Sequence, residues 1–255
     1  MMRNTKYTIA LGKGCGLIEE TLALLAVCNE HTTKESLLQY VREFNPLSRC
    51  SDMRSMDIVR RVFYPRYMKQ NPQVVVWLHT IRQKGVLLSQ FKQLLMLYSA
   101  RENAVVYDFI VCRLNILRAN HSPKLQLEDV AKFVKDIVDE GKAKWGECVQ
   151  KKQASSIKTI LADFDMVARN GDILPYEISN FALLYLMHEL HFAGLSDMAI
   201  WNHEDWQLFG LDKHSLLQRI MDMNIKGGYI AQCSGELLTI SWNYQTMEDF
   251  INGTL

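Results

Sequence analysis

The sequence has few features of a secreted, membrane-bound or metal-binding protein. Its six cysteines, at positions 15, 28, 50, 112, 148 and 233, are scattered and form no CxxC pair. This spacing argues against a zinc ribbon or a disulfide framework and favours a reducing compartment. No apolar run approaches the roughly 18 residues that a membrane span needs, and the opening MMRNTKYTIALGKG lacks the apolar run of a signal peptide. We therefore expect a cytoplasmic protein with no membrane partner.

Recognisable catalytic and cofactor motifs are lacking too. No GxSxG nucleophile elbow or readable Cys–His arrangement occurs. The glycine-rich stretch 12–16 does not follow the GxxxxGK(S/T) order of a phosphate loop, so we expect it to be a flexible lead into a helix. His188 and His191 are three residues apart, whereas HExxH spaces its histidines by four, so two half-exposed helix histidines are expected rather than metal ligands. These absences predict a non-enzymatic protein with no cofactor and no metal.

The charge is unevenly distributed along an otherwise ordinary globular composition. The chain has 255 residues, of which 48% are hydrophobic and 22% are charged, enough for one large or two smaller domains. Residues 1–100 contain 14 Lys and Arg against 7 Asp and Glu, while residues 101–255 contain 15 against 21. A basic first part indicates an anionic partner. The same asymmetry would also arise if the two parts attracted each other.

The most concentrated positive charge lies in the stretch RCSDMRSMDIVRRVFYPRYMK, residues 49–69. Its cations are Arg49, Arg54, Arg60, Arg61, Arg66 and Lys69. Residues 52–64 contain neither Gly nor Pro and keep helical spacing, which predicts a helix with Ser51 as its N-cap. Pro65 has no N–H and clashes with the preceding turn, so we expect it to end or kink this helix.

The two faces of this predicted helix differ in polarity. The apolar face consists of Met56, Val59, Val62 and Phe63. Arg54 and Arg61 lie on the opposite face with Asp57 between them, at about 100° per residue. This face fits a helix laid on nucleic acid, whose phosphates the arginines would neutralise. It also fits a solvated surface on which Asp57 and Arg61 form an exposed pair that contributes a few tenths of a kcal/mol.

Helical patterns extend over most of the remaining chain. Further helices are predicted at 17–29, 32–44, 71–83, 87–100, 102–119, 127–139, from the lysine-rich 142–158 patch to about 169, at 177–192 and at 212–224. Thr32 and Glu35 form a capping-box pattern, and Asn170-Gly171 is a C-cap signal. The tail predicts a β-hairpin of 229–233 and 237–244 around a turn, because Leu238, Ile240, Trp242 and Tyr244 have the period of a half-buried strand. Thr246 is predicted to cap a last short helix.

These patterns predict a mainly α, multi-helix fold with helix-turn-helix-like modules and a small C-terminal β-hairpin in a winged-helix-like ending. We expect residues 1–70 to form a basic helix-turn-helix-like module, residues 71–175 a central helical core, and residues 176–255 a winged-helix-like module. The three segments could equally form one compact domain.

Three blocks of the sequence resemble the BrxA family of bacterial BREX (bacteriophage exclusion) systems. The blocks are YTIALGKGCGLIEETLALL, SRCSDMRSMDIVRRVFYPRY and IKGGYIAQCSGELLTISWNYQTMEDFI. Their order and spacing cover nearly the whole chain, and the last block is the most specific. The resemblance implies a cytoplasmic, non-enzymatic component of phage defence, a helical fold similar to the NusB antitermination protein, and binding of double-stranded DNA. On the arginine-rich block, it assigns DNA contact to Arg54, Arg60, Arg61 and Arg66.

The function expected from residues and resemblance together is double-stranded DNA binding within a BREX assembly, mainly through phosphate contacts. Such binding is weakly specific for sequence and strongly dependent on salt. The candidate contacts are Arg49, Arg54, Arg60, Arg61, Arg66 and Lys69, with Lys151, Lys152 and Lys158 as a second surface. Two alternatives stay open. One is an adaptor that docks its basic part on an acidic face of another defence protein, and the other is an RNA-binding protein.

Overall fold

The chain is mainly helical, as predicted, in a computed structural model that describes residues 3–47 and 50–255. The α-helices are Ile18–Ala26, Lys34–Phe44, Asp52–Ile58, Tyr64–Tyr67, Gln73–Gln83, Leu88–Glu102, Ala104–Phe109, Asn115–Ala119, Leu127–Asp139, Glu147–Asp163, Asn180–Phe192, Asp197–Trp201, Lys213–Asp222 and Met247–Thr254. Short 3₁₀ helices occupy Ala10–Lys13 and Glu204–Phe209, and π turns occupy Val59–Phe63 and Ile110–Leu114. The strands are Tyr229–Ser234 and Leu237–Trp242.

The chain divides into two compact units that each combine separate stretches. The larger unit comprises residues 3–79 and 95–176, and the smaller unit comprises residues 80–94 and 177–255. By sequence, the larger unit has 23 Lys and Arg against 18 Asp and Glu, whereas the smaller has 6 against 10. The lysines at 142–158 therefore share a unit with the arginines at 54–66, although they lie in the acidic part of the linear sequence. The three-segment division at 70 and 175 stays a prediction.

The predicted basic helix forms, but it does not end at Pro65. Ser51 caps it, since the Ser51 hydroxyl accepts the Arg54 N–H, and the helical path continues through Asp52–Ile58, Val59–Phe63 and Tyr64–Tyr67. We call these three consecutive segments the basic helix. In the middle segment the Tyr64 N–H donates to the Val59 carbonyl, five residues back. Pro65 has no N–H to donate one turn back, and the wider turn before it allows the helix to continue past the proline ring.

A second π turn, Ile110–Leu114, lies in the helical run at 104–119. Ile110 and Leu114 are buried in it, whereas Arg113 is exposed. Two other sequence predictions were wrong at helix ends. The capping box uses Thr33 and Ser36, one residue later than predicted, and the lysine-rich helix ends at Asp163 rather than near 169.

The smaller unit confirms the predicted helix and hairpin. Asp212 caps Lys213–Asp222, and the hairpin pairs Tyr229 with Trp242 in antiparallel register. Both outer edges of the sheet are covered by side chains. Asn224 exchanges two hydrogen bonds with the Ala231 backbone, and Asp197 accepts from the Ile240 N–H and the Trp242 indole on the other edge. Covered edges cannot pair with a strand of another chain, so the hairpin is protected from edge-to-edge association.

His188 is buried, contrary to the half-exposed state predicted for it. Its Nδ1 bonds to the Leu184 carbonyl at 2.9 Å, and its ring stacks on Phe250 with centroids 4.0 Å apart. Tyr229, Trp242 and Tyr244 also contact the imidazole. Burial lowers the pKa of His188 from 6.5 to about 4 because the charged form would lose its hydration. This histidine is therefore a neutral core residue that joins the helix Asn180–Phe192 to the hairpin and the last helix.

Candidate nucleic-acid interface

The two arginines on the outer face of the basic helix share one carboxylate. Arg61 Nε lies 2.6 Å from Asp57 Oδ1, and Arg54 Nη1 lies 3.5 Å from Asp57 Oδ2. All three side chains are at least partly exposed, and exposed pairs of this kind stabilise a fold by less than about 1 kcal/mol. The two cations therefore remain accessible to an anion, but one carboxylate neutralises part of their charge.

The other cations of the basic helix have different surroundings. Arg60 is exposed, and no ion pair to it occurs within 3–47 or 50–255. Lys69 is also exposed, and its charge partly offsets the burial that raises the pKa of Glu102. Arg66 is only 7% exposed, and its Nη2 donates to the Gly14 carbonyl at 2.8 Å, so it supports the core rather than the surface. Arg49 lies outside the described residues.

The glycine-rich stretch connects the basic helix to a second cationic helix. We call residues 10–16 the seam segment and Glu147–Asp163 the lysine helix. The first turn of the seam segment, Ala10–Lys13, contacts both the π turn Val59–Phe63 and the lysine helix. At its other end, the Gly16 N–H donates to Asp163 Oδ2 at 2.8 Å. The basic helix and the lysine helix are thus fixed to one short segment, which brings together cations that lie about a hundred residues apart in sequence.

The glycines of the seam segment are needed for close packing, not for the flexibility expected from the sequence. A Cβ at Gly16 would lie 2.4 Å from Asp163 Cβ. A Cβ at Gly14 would lie 2.5 Å from Leu17 Cδ1 and 3.0 Å from Val62 Cγ2. A larger residue at Gly16 would push the seam segment away from the lysine helix, and one at Gly14 would crowd Val62 on the basic helix.

The lysine helix presents its candidate cations unequally. Lys151 and Lys152 are exposed, and a Cβ at Gly12 would lie 3.1 Å from Lys152 Cε, so Lys152 borders the seam segment directly. Lys158 is half-buried, and its Nζ would lie 3.2 Å from a Cβ at Gly171. Lys158 is therefore directed at a neighbouring turn, whereas Lys152 lies beside the seam segment.

Two lysines in this region were not identified from the sequence. Lys13 ends the first turn of the seam segment, and that turn contacts both cationic helices. Lys34 begins the helix Lys34–Phe44, and its Nζ lies 4.7 Å from the centre of the Tyr64 ring on the basic helix. A cation over an aromatic face is held there by the ring's negative face. The basic and aromatic composition of residues 49–69 indicated that Tyr64 lies among cations. Nothing near Tyr64 in the sequence connects it to Lys34.

Other regions of the described chain contribute less. A cleft of about 350 Å³ in the larger unit has Asp108 and Arg113 in its lining. Asp108 already accepts hydrogen bonds from Arg3 and Tyr7, and Arg113 pairs with Asp136 at 3.1 Å. Its charges are mostly paired within the protein, and we assign it no ligand.

The hairpin of the smaller unit carries no cation. Glu236, at its turn, is the only charged residue between positions 229 and 242. Ile230 and Leu237 are exposed on its outer face, 46% and 59% respectively. A wing that grips a phosphate backbone needs positive charge, so the hairpin is not part of the candidate interface.

Within residues 3–47 and 50–255, no three His, Cys, Asp or Glu side chains are arranged to hold a metal ion. No helix there is both long enough and apolar enough to cross a membrane.

Similarity to known proteins agrees with the helical fold. The crystal structure of an uncharacterized protein from Magnetospirillum magneticum is similar over 73% of this chain and 95% of that chain, with a TM-score of 0.58 and 14% sequence identity. At this identity the likeness shows the fold alone. No curated protein matches the sequence.

The family model for BrxA matches residues 5–189. The matched range includes the seam segment, the basic helix and the lysine helix, and two of the three sequence blocks that resemble the family. The C-terminal block lies beyond it, so the match rests on the part of the chain that carries the candidate interface. Because the match spans well over half of the sequence, the chain belongs to the BrxA family, which is associated with BREX phage defence.

Proposed function

We propose that this protein binds double-stranded DNA through the cationic surface of its larger unit, as a non-enzymatic, cytoplasmic component of a BREX system. BrxA proteins are defence-system components that are not known as enzymes. The observation that carries the proposal is the seam segment, which joins exposed cations of two distant helices. The contacting residues are Lys13, Lys34, Arg54, Arg60, Arg61, Lys69, Lys151 and Lys152.

The contacts are mainly to phosphates. Each side chain in this set is a Lys or Arg, and each neutralises a phosphate by charge rather than by reading a base edge. Lysines act as mobile point charges, while the arginines form paired hydrogen bonds to one phosphate. Arg66 is omitted because its guanidinium supports the seam segment from inside, and Lys158 is a peripheral contact.

Charge reversal at one exposed cation on each of the two helices tests this function. Arg60→Glu with Lys152→Glu changes one exposed cation on each helix, so duplex binding measured by fluorescence anisotropy should weaken steeply. The slope of log affinity against log salt should become shallower by about two, since each lost phosphate contact removes about one. The matched control is Lys132→Glu with Lys135→Glu on Leu127–Asp139, which makes the same change in net charge at exposed positions. Equal weakening by both double variants would show that only net charge matters.

A second candidate function is an assembly adaptor, which the smaller unit favours. That unit has an excess of Asp and Glu, and its hairpin exposes Ile230 and Leu237 with no Lys or Arg between positions 229 and 242. An adaptor would co-purify with other BREX proteins and would shift no duplex at any salt concentration. Competition between duplex DNA and duplex RNA in the same anisotropy assay separates DNA binding from RNA binding.

A further inference from the structure

Arg54 and Arg61 converge on one point although their backbones are far apart along the helix. They are separated by seven residues, about two helical turns. Their guanidinium nitrogens nevertheless lie against opposite oxygens of the Asp57 carboxylate, Arg61 at 2.6 Å from Oδ1 and Arg54 at 3.5 Å from Oδ2. Each oxygen of a carboxylate accepts hydrogen bonds independently. The two arginines therefore enclose a single anionic group between them.

The enclosed group lies deeper than the arginines that hold it. The Asp57 side chain is 29% exposed, whereas Arg54 is 40% exposed and Arg61 is 57% exposed. Both arginine side chains thus remain partly open to solvent. A phosphodiester resembles a carboxylate in presenting two charged oxygens to paired guanidinium groups. The space between the two guanidiniums, which holds the Asp57 carboxylate, can therefore also hold a backbone phosphate of DNA.

We propose that Arg54 and Arg61 form one phosphate-binding pincer, and that Asp57 is its built-in competitor. This inference rests on the proposed DNA binding and specifies how one part of that surface is regulated. A phosphate enters the pincer when the Asp57 carboxylate releases at least one arginine. The carboxylate thus keeps the arginines converged in the free protein and weakens their hold on DNA. A buttressing role, in which Asp57 only aligns the arginines, predicts the opposite effect of removing its charge.

Asp57→Asn separates the two roles because it keeps the side-chain shape and removes the charge. At about 50 mM salt, we expect this variant to bind a short duplex roughly tenfold more tightly than the wild type, with a log–log salt slope steeper by about one. At about 200 mM salt, this slope difference reduces the advantage to between two- and threefold. The matched control is Glu128→Gln, an exposed carboxylate in the first turn of Leu127–Asp139, which should change duplex affinity by less than about twofold.

A second measurement distinguishes failure of the pincer from failure of DNA binding. Inorganic phosphate should raise the melting temperature of Asp57→Asn more than that of the wild type or Glu128→Gln, since an anion that binds only the folded state stabilises it. If the wild type binds no duplex while phosphate still stabilises Asp57→Asn selectively, the pincer is supported and the proposed DNA binding is refuted. If the wild type binds duplex but Asp57→Asn binds equally or more weakly while remaining folded, the pincer is overturned and the proposed function stands.

Discussion

Replacing Gly16 by alanine is the sharpest test of how the cationic surface is built. The added Cβ would lie 2.4 Å from Asp163 Cβ and 2.8 Å from Asp163 Oδ2, so the two segments must move apart by about 1 Å. That movement also breaks the Gly16 N–H bond to the Asp163 carboxylate. Overpacking costs about 1–3 kcal/mol and loss of a charged hydrogen bond about 1.5–3 kcal/mol. Together these give an expected loss of about 2.5–6 kcal/mol in the free energy of unfolding.

The assay is urea unfolding, with hydrogen exchange to locate the change. Exchange should accelerate in the seam segment and at the C-terminal end of the lysine helix, and duplex affinity should fall because Lys13 and Lys152 separate. Gly146→Ala is the control, since a Cβ there has no atom within 4 Å, and it should cost less than about 1 kcal/mol. Adding Asp163→Gly to Gly16→Ala removes the clashing atom, so the double variant should lose less stability than the sum of the single changes. Strict additivity would refute the packing argument.

Three further predictions concern parts of the fold that support this surface or the hairpin. For His188, the pKa is lower in the folded chain than in the unfolded one, so stability present above pH 6.5 is lost as the pH falls towards 4. Between pH 7.5 and 5 the wild type should lose about 2 kcal/mol that His188→Phe does not lose, and equal losses in urea titrations would contradict this. Asp197→Ala removes the acceptor of two donors on the hairpin and should destabilise the smaller unit by about 2 kcal/mol in urea unfolding, against little change for Glu236→Ala. Arg66→Lys replaces the planar guanidinium that donates to the Gly14 carbonyl and should lower the melting temperature in calorimetry by several degrees. An unchanged melting temperature would show that Arg66 does not support the seam segment.

Local sequence signals were enough to predict the basic helix and the tail. Ser51 was predicted as the cap and serves as one. Val59 and Phe63 are buried, as predicted, and Arg54 and Arg61 lie on the outer face. These features could be predicted because they depend on neighbours within two turns. The hairpin followed from the period-two pattern of its second strand and the turn before it, which are also local signals. The helix does not end at Pro65 because the preceding turn widens, and a π turn has no simple sequence signature.

The candidate interface depends instead on contacts between residues distant in sequence. Gly16 meets Asp163 across 147 positions, and nothing near either residue marks that meeting. Glycine permits both flexibility and close approach, so the sequence alone could not distinguish the two. For the same reason, Lys13 and Lys34 gain their significance only from the elements that they contact. His188 was placed wrongly because its burial comes from the hairpin and the last helix, which follow it by some 40–60 residues.

The salt dependence of wild-type binding to a short duplex tests the central claim most directly. The eight proposed cations, of which Arg54 and Arg61 share one phosphate, would contact about seven phosphates, so log affinity should fall with log salt with a slope near −6. A slope near zero, or no binding at any salt concentration by a protein that co-purifies with other BREX components, would contradict DNA binding and favour the adaptor.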